Sequence, residues 1–294
     1  MPSTAWWRWG RVPYSPSDRD VQRIAGTALA EDGEMDITTS LTVVPGRHSA
    51  GEIQYRGGGV ISGLVFADAV AAGCDCTIKW HVSEGGAVVA NARVGEIRGE
   101  LAKILRAERP MLNLLQRASG IASITGAFVD EVRNTSCRIL HTRKTAPGLR
   151  ALDVAAVIAG GGHRHRVDLA HEIMVKDNHW QALERHGTTL AQALAEGKRD
   201  GIAALYVEVE SLEQLELACA AGATRLLIDN QPPDTVKSWS RRARQRSPGI
   251  EIEATGGISL QNVRAYSDAG ADFISIGALT HSAKAADIAL KVKL

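Results

Sequence analysis

Residues 204–229 read Ala-Leu-Tyr-Val-Glu-Val-Glu-Ser-Leu-Glu-Gln-Leu-Glu-Leu-Ala-Cys-Ala-Ala-Gly-Ala-Thr-Arg-Leu-Leu-Ile-Asp. A short apolar run, 204–208, precedes Ser211-Leu212-Glu213-Gln214, a capping box that starts a helix over 211–221. Gly222 stops that helix, and a second apolar run follows at 225–229. Strand, helix and strand in this order predict two parallel strands joined by a crossover. Each run ends on a carboxylate, Glu208 and Asp229.

The alternation continues in both directions. Further strands are expected at 138–141, 172–176, 250–255 and 272–276, with helices over 148–159, 188–197, 232–244 and 260–269. Right-handed crossovers of this kind build either a barrel or an open doubly wound sheet. The polar residues choose between them. Arg143 and Lys144, Lys176, Glu208, Asp229, Thr255-Gly256-Gly257 and Gly277 all fall at the C-terminal ends of their strands. An open sheet gathers its ligand groups at one switch point. A barrel collects them from every strand end. Every strand here contributes, so the expected fold is α/β with a six-stranded α/β barrel.

Upstream lies a smaller α+β unit. Ser17 or Asp18 caps a helix with Val21, Ile24, Ala25 and Leu29 on its apolar face. Strands are expected at 41–44, 77–82 and 87–97, with a helix over 64–72. Gly57-Gly58-Gly59 lacks the Gly-Lys-Ser/Thr ending of a phosphate loop and marks close backbone approach instead. Residues 101–124 are helical in period, and Pro110 is expected to divide them into two helices. Arg106, Arg109 and Arg117 lie on this segment, and a solvated helix face accounts for at least one of them. Residues 1–18, with Trp6, Trp7 and Trp9, read as an arm.

The chain has 294 residues and a formal net charge of +1, which gives no global signal for nucleic acid or for a membrane surface. No apolar run reaches the length of a membrane span, and no export signal is evident. The four cysteines read as buried, reduced thiols of a cytoplasmic protein.

The local charges are concentrated between His141 and His179. His141-Thr142-Arg143-Lys144, Gly160-Gly161-Gly162-His163-Arg164-His165-Arg166 and Val175-Lys176-Asp177-Asn178-His179 are three cationic clusters beside strand-like runs. Cations held at strand ends suit a ligand with several negative charges; the alternative is a solvated basic face. Glu208 and Asp229 suit Mg²⁺ held through water, ribose hydroxyls, or an ion pair with a neighbouring cation. Thr255-Gly256-Gly257 before a helix, and Gly277 to His281 on the next strand, suit phosphate.

Taken together, Arg143-Lys144-Thr145-x-Pro147-Gly148-Leu149-Arg150, the Gly160 triplet with His165-Arg166, Lys176-Asp177-Asn178-His179, Glu208-Val209-Glu210-Ser211, Leu227-Ile228-Asp229-Asn230, Gly256-Gly257-Ile258 and Gly277-Ala278-Leu279-Thr280-His281-Ser282 resemble the quinolinate phosphoribosyltransferase family, in order, from about Asp36 onward. The resemblance implies an N-terminal α/β sandwich (1–118, completed by a C-terminal helix over 282–294) and a barrel domain (119–281). It implies a head-to-tail homodimer in which Arg109 is given to the partner's site. Arg143, Lys144, His165, Arg166 and Lys176 match the quinolinate pocket. Glu208 and Asp229 match the groups around ribose and Mg²⁺ of phosphoribosyl pyrophosphate. Thr255, Gly256, Gly257 and Gly277 match the 5′-phosphate loops, with His281 beside them. Lys144, Glu208 and Asp229 are the expected catalytic residues.

Four positions depart from the family pattern. His141 stands where the family has Asp, Arg164 where it has Asn, Asp168 where it has Gly, and His171 where an Asp is common. Either Arg164 and Asp168 compensate each other, or the pocket takes a different aromatic acid. The remaining alternatives are a related transferase acting on another heteroaromatic carboxylate, and a non-catalytic ligand-binding homologue.

Overall fold

The computed structural model describes residues 14–293, so the expected Trp-rich arm lies almost wholly outside them. In chain order the elements are α1 (Asp18–Glu31), α2 (Ile37–Thr42), β1 (His48–Tyr55), β2 (Gly59–Val60), α3 (Leu64–Gly73), β3 (Thr77–Trp80), β4 (Ala87–Val88), β5 (Ala92–Glu100) and α4 (Leu101–Val132). Then come β6 (Arg138–Leu140), α5 (Arg150–Ala159), β7 (Ile173–Val175), α6 (Asp177–His186), α7 (Leu190–Arg199), β8 (Leu205–Val209), α8 (Leu212–Ala220) and β9 (Arg225–Asp229). The chain continues through α9 (Pro233–Arg246), β10 (Glu251–Thr255), α10 (Val263–Asp268), β11 (Phe273–Ser275), α11 (Ala278–His281) and β12 (Ile288–Lys293). No helix among the described residues is long and apolar enough to cross a membrane.

Two compact units emerge. The first holds the described residues up to Gly126, Lys144–Arg164 and those from Ala278 onward. The second holds Ala127–Arg143 and His165–Gly277.

The first unit is organised by an antiparallel sheet of order β12-β1-β5-β3. The C-terminal segment expected as a helix is the strand β12. Ile288, Leu290 and Val292 alternate with Ala289, Lys291 and Lys293, a period of two that suits a pleat. β12 takes the outer edge of β1, from Ala50 opposite Lys293 to Tyr55 opposite Ile288. The strand expected at 41–44 is also absent. The Asp36 carboxylate accepts from Thr39 N at 2.9 Å and from its hydroxyl, which caps α2 instead. The strand expected over 87–97 is divided between β4 and β5, because Asn91 enters the left-handed region (φ 63°). Gly59 carries the close approach expected of it: its φ is 137°, and an added Cβ would lie 2.8 Å from the Tyr55 hydroxyl.

α4 runs unbroken through Pro110, contrary to the expected division. A proline in a helix interior costs about 3 kcal/mol. The helix face around it buries Ile104, Met111, Leu112 and Leu115, at most 2% exposed, each contributing about 1.5–3 kcal/mol of apolar transfer. Packing therefore outweighs the break.

The second unit is a parallel sheet of order β6-β11-β10-β9-β8-β7. From β7 to β11 each strand pairs with its successor, and β6 lies beside β11. First beside last is the order of a barrel with one seam left unbonded, between β6 and β7. Val207, Ile228, Ile252 and Ile274 are fully buried, as strands covered on both faces require. α6 was not foreseen. It buries no residue fully, and its first turn is the Asp177-Asn178-His179 segment, whose charges mask the helix start.

Candidate active site

In the second unit Arg143 and Lys176 follow β6 and β7, while His165 and Arg166 lie in the connection that leads into β7. Lys176 caps α6 directly after β7, and its Nζ forms a short ion pair with Glu208 Oε2 on the neighbouring strand. Of the readings open for Glu208, an ion pair with a neighbouring cation is therefore the one seen. The Trp180 indole N–H donates to the Glu208 carbonyl at 2.9 Å, tying α6 to the end of β8.

Arg143 and Arg166 lie close enough to repel. Burial pulls the Arg166 guanidinium below its ordinary value, and Arg143 pulls it further; Glu172, Asp168 and Glu208 oppose this. Arg143 Nε is buried and meets no acceptor. Two guanidiniums held together against their repulsion, one with an unmet donor, form a surface suited to an anion.

His165 is buried, and both of its ring nitrogens are used inside the protein. Nε2 lies 3.1 Å from Glu253 Oε2, and Nδ1 accepts from Arg166 N at 2.7 Å. Glu253 in turn meets Arg225 Nη1 at 3.1 Å. Arg225 also bonds Glu251 and stacks between Tyr206 and Phe273, 4.5 and 3.9 Å from their ring centroids. Burial alone would raise the Glu253 carboxyl; His165 and Arg225 outweigh it and hold the group at about 2. Sequence reasoning missed this interior network. Its signal was the alternation Glu251-Ile252-Glu253 within a strand otherwise buried on both faces.

The sugar-phosphate candidates cluster at the ends of β9 and β10. Thr255 pairs in register with Asp229. The Asp229 carboxylate accepts from Asn230 Nδ2 at 2.6 Å, and Asn230 N donates to Thr255 O at 3.0 Å. Gly256 has φ +82°, and a Cβ there would lie 2.9 Å from Asn230 N and collide with its side-chain amide. Gly257 is exposed, with φ +62°. The helix expected over 260–269 begins at Val263. Asn262 orders the intervening turn, accepting from Ser259 N at 2.8 Å and donating to Gly257 O at 3.1 Å. Gly277 follows β11.

Among the departures from the family pattern, Asp168 accepts from His171 Nδ1 at 2.9 Å, so the new anion answers the new imidazole. His141 is fully buried. Its Nδ1 lies 3.1 Å from Thr142 O, and His165 N donates to its Nε2 at 3.0 Å.

The first unit holds the remaining candidates. Arg109 is exposed on α4. Lys144 is exposed, and its carbonyl accepts from Thr280 Oγ1 at 2.8 Å. His281 is exposed, with Nδ1 2.6 Å from Ser282 Oγ. Arg106 donates to the carbonyls of Gly33 and Glu34. Arg117, by contrast, grips the buried Asp153 with two bonds of 2.7 Å and donates to Thr280 O at 3.1 Å. Asp153 also accepts from Ala146 N at 3.1 Å. This pair braces the loop that carries Lys144. The signal for it was a single carboxylate inside the apolar segment 151–159.

Among the described residues, no group of three or more His, Cys, Asp or Glu comes together to cage a metal. The four cysteines are buried free thiols, and burial raises Cys76 to about 11 and Cys137 to about 12.

The family model for the C-terminal domain of quinolinate phosphoribosyl transferase matches residues 121–291, and that for the N-terminal domain matches 36–119. The carboxylating nicotinate-nucleotide pyrophosphorylase of Mycobacterium leprae is 38% identical over 269 residues, spanning 90% of this chain and 94% of its own length. The human carboxylating nicotinate-nucleotide pyrophosphorylase is 36% identical over 236 residues, 80% of this chain and 79% of its own. Among solved structures, the nicotinate-nucleotide pyrophosphorylase of Francisella tularensis aligns with a TM-score of 0.88 at 32% identity, covering 97% of this chain and 99% of that one.

Proposed function

This chain belongs to the quinolinate phosphoribosyl transferase family, and from that premise we propose how its residues carry the reaction. Quinolinate and phosphoribosyl pyrophosphate become nicotinate mononucleotide, pyrophosphate and CO₂, a step of NAD biosynthesis. The observation that carries the assignment of residues is the Arg143–Arg166 pair with its unmet buried donor. These two guanidiniums and Lys176 take the carboxylates of the diacid. Lys144, next in the chain after Arg143, takes the same role from the family match. His165 serves by holding the Arg166 backbone.

With its acid groups clamped, the pyridine nitrogen is aligned on C1 of the ribose, so that bond formation needs little further ordering. Charge leaving with the pyrophosphate is met by fixed cations. After C–N bond formation the positive ring nitrogen stabilises the electron pair left on the adjacent ring carbon as its carboxylate departs as CO₂, and that carbon then takes up a proton from water. Asp229 and Glu208 face the ribose, while Thr255, Gly256, Gly257, Gly277 and His281 receive the 5′-phosphate.

Mg²⁺ neutralises pyrophosphate oxygens when bound. Asp229 is the carboxylate here that fits it, since Glu208 is engaged by Lys176. One or two carboxylates with substrate phosphate oxygens are an ordinary Mg²⁺ site, and no protein cage is required. We read the assembly as a homodimer to which the exposed Arg109 contributes, and the buried free thiols as those of a cytoplasmic protein.

The test is turnover with quinolinate, phosphoribosyl pyrophosphate and Mg²⁺, followed over a panel of pyridine mono- and dicarboxylates. Nicotinate mononucleotide is the expected product. Consumption of another acid instead would reassign the acceptor, and binding without turnover would make the chain a ligand-binding homologue.

A further inference from the structure

We propose that His141 is a positioning residue that cross-links the two backbone segments bearing Arg143 and Arg166 and so sets the spacing of their guanidiniums. The inference rests on the reading that those arginines bind the diacid. The ring's hydrogen bonds define its chemistry. The Thr142 carbonyl can only accept, so Nδ1, at 3.1 Å, carries the proton. The His165 amide can only donate, so Nε2, at 3.0 Å, keeps its lone pair. His141 is therefore held as the neutral Nδ1–H tautomer.

Each bond lands one residue before an arginine. Thr142 precedes Arg143, and His165 precedes Arg166. The two guanidiniums repel one another, and Arg143 Nε is buried without an acceptor. A free loop would relieve both by swinging outward, and the imidazole resists this from a fully buried position. Its far side is anchored as well, because the His165 ring is fixed on Glu253 and through it on Arg225. Neutrality is part of the role. A carboxylate at 141 could accept from His165 N–H. It could not donate to Thr142 O, and it would offset one of the two positive charges. A glutamine amide could make both bonds and stay neutral.

The full chain as wild type, H141Q, H141L and H141D decides the matter. The readouts are KM for quinolinate, KM for phosphoribosyl pyrophosphate, kcat, and amide hydrogen exchange of the peptide containing His165 and Arg166. H141L is expected to raise KM for quinolinate by about 10-fold or more, to hold KM for phosphoribosyl pyrophosphate within about 2-fold, and to speed exchange of the His165 amide. H141Q should restore quinolinate KM to within about 3-fold of wild type, and H141D should not. An unchanged quinolinate KM in H141L, an equal rise in both KM values, or an unprotected His165 amide in the wild type would each overturn the proposal. Should H141L not fold, equal quinolinate KM values for H141Q and H141D overturn it. If the wild type itself turns over no quinolinate, the functional reading fails. The exchange contrast between wild type and H141Q on one side and H141L on the other still decides the cross-link.

Discussion

Lys176 and Glu208 are joined across neighbouring parallel strands, Nζ to Oε2, directly beyond the register pair Val175–Val207. The fold itself holds the lysine on its acid partner, so neither side chain acts alone. E208Q and K176M should each lower kcat roughly 10²-fold, the loss typical of a charge-stabilising group. The double variant should be little worse than either single one, because residues acting as a unit are not additive. Steady-state kinetics on the four proteins checks this, and losses that multiply would separate the two roles.

K144A should lose roughly 10²-fold or more in kcat. Near-normal turnover would remove Lys144 from the machinery. A drop in melting temperature would instead mark it as structural.

The carboxylates at strand ends, the parallel barrel and the helix stop at Gly222 were legible because each follows from a local pattern: period two, period 3.6, or a positive φ (84°). Pro110 misled because its cost is local and its compensation is tertiary. β12 misled because the edge that receives it lies far away in the sequence. The Asp153–Arg117 and Glu253–Arg225 pairs were hidden for the same reason: a buried charge declares its partner only in three dimensions.

Glu253 makes stability depend on acid. Its folded-state carboxyl sits at about 2, against an ordinary value of 4.5. As pH falls, the unfolded chain takes up this proton first. The stabilisation is complete above 4.5 and is lost as pH descends toward about 2. E253Q should melt at a lower temperature at neutral pH and show a flatter melting curve against pH within that window. Thermal melts from pH 2 to 7 would reveal it; parallel slopes for the two proteins would refute it.

Gly256→Ala should be costlier than Gly257→Ala. Both positions have positive φ, which costs a non-glycine residue about 1–2 kcal/mol. Only at Gly256 does the new methyl also meet Asn230. KM for phosphoribosyl pyrophosphate should rise in G256A and change less in G257A. The reverse order would relocate the phosphate grip.

D153A should destabilise by about 3–5 kcal/mol, since it strips a partner from a charge gripped at a buried site. The Arg117 side chain, 29% exposed, retains some solvent, which favours the lower end of that range. D153A/R117M should recover part of the loss, as denaturant titration would show.

β1 obtains its outer neighbour only from β12, and more than two hundred residues separate Tyr55 from Ile288. A ribosome releases every strand of the barrel before it releases that neighbour. During synthesis β1 therefore presents an uncapped edge, a template for pairing with nascent copies. Shortened products that stop before Ile288 should accumulate as aggregates even where the barrel has formed.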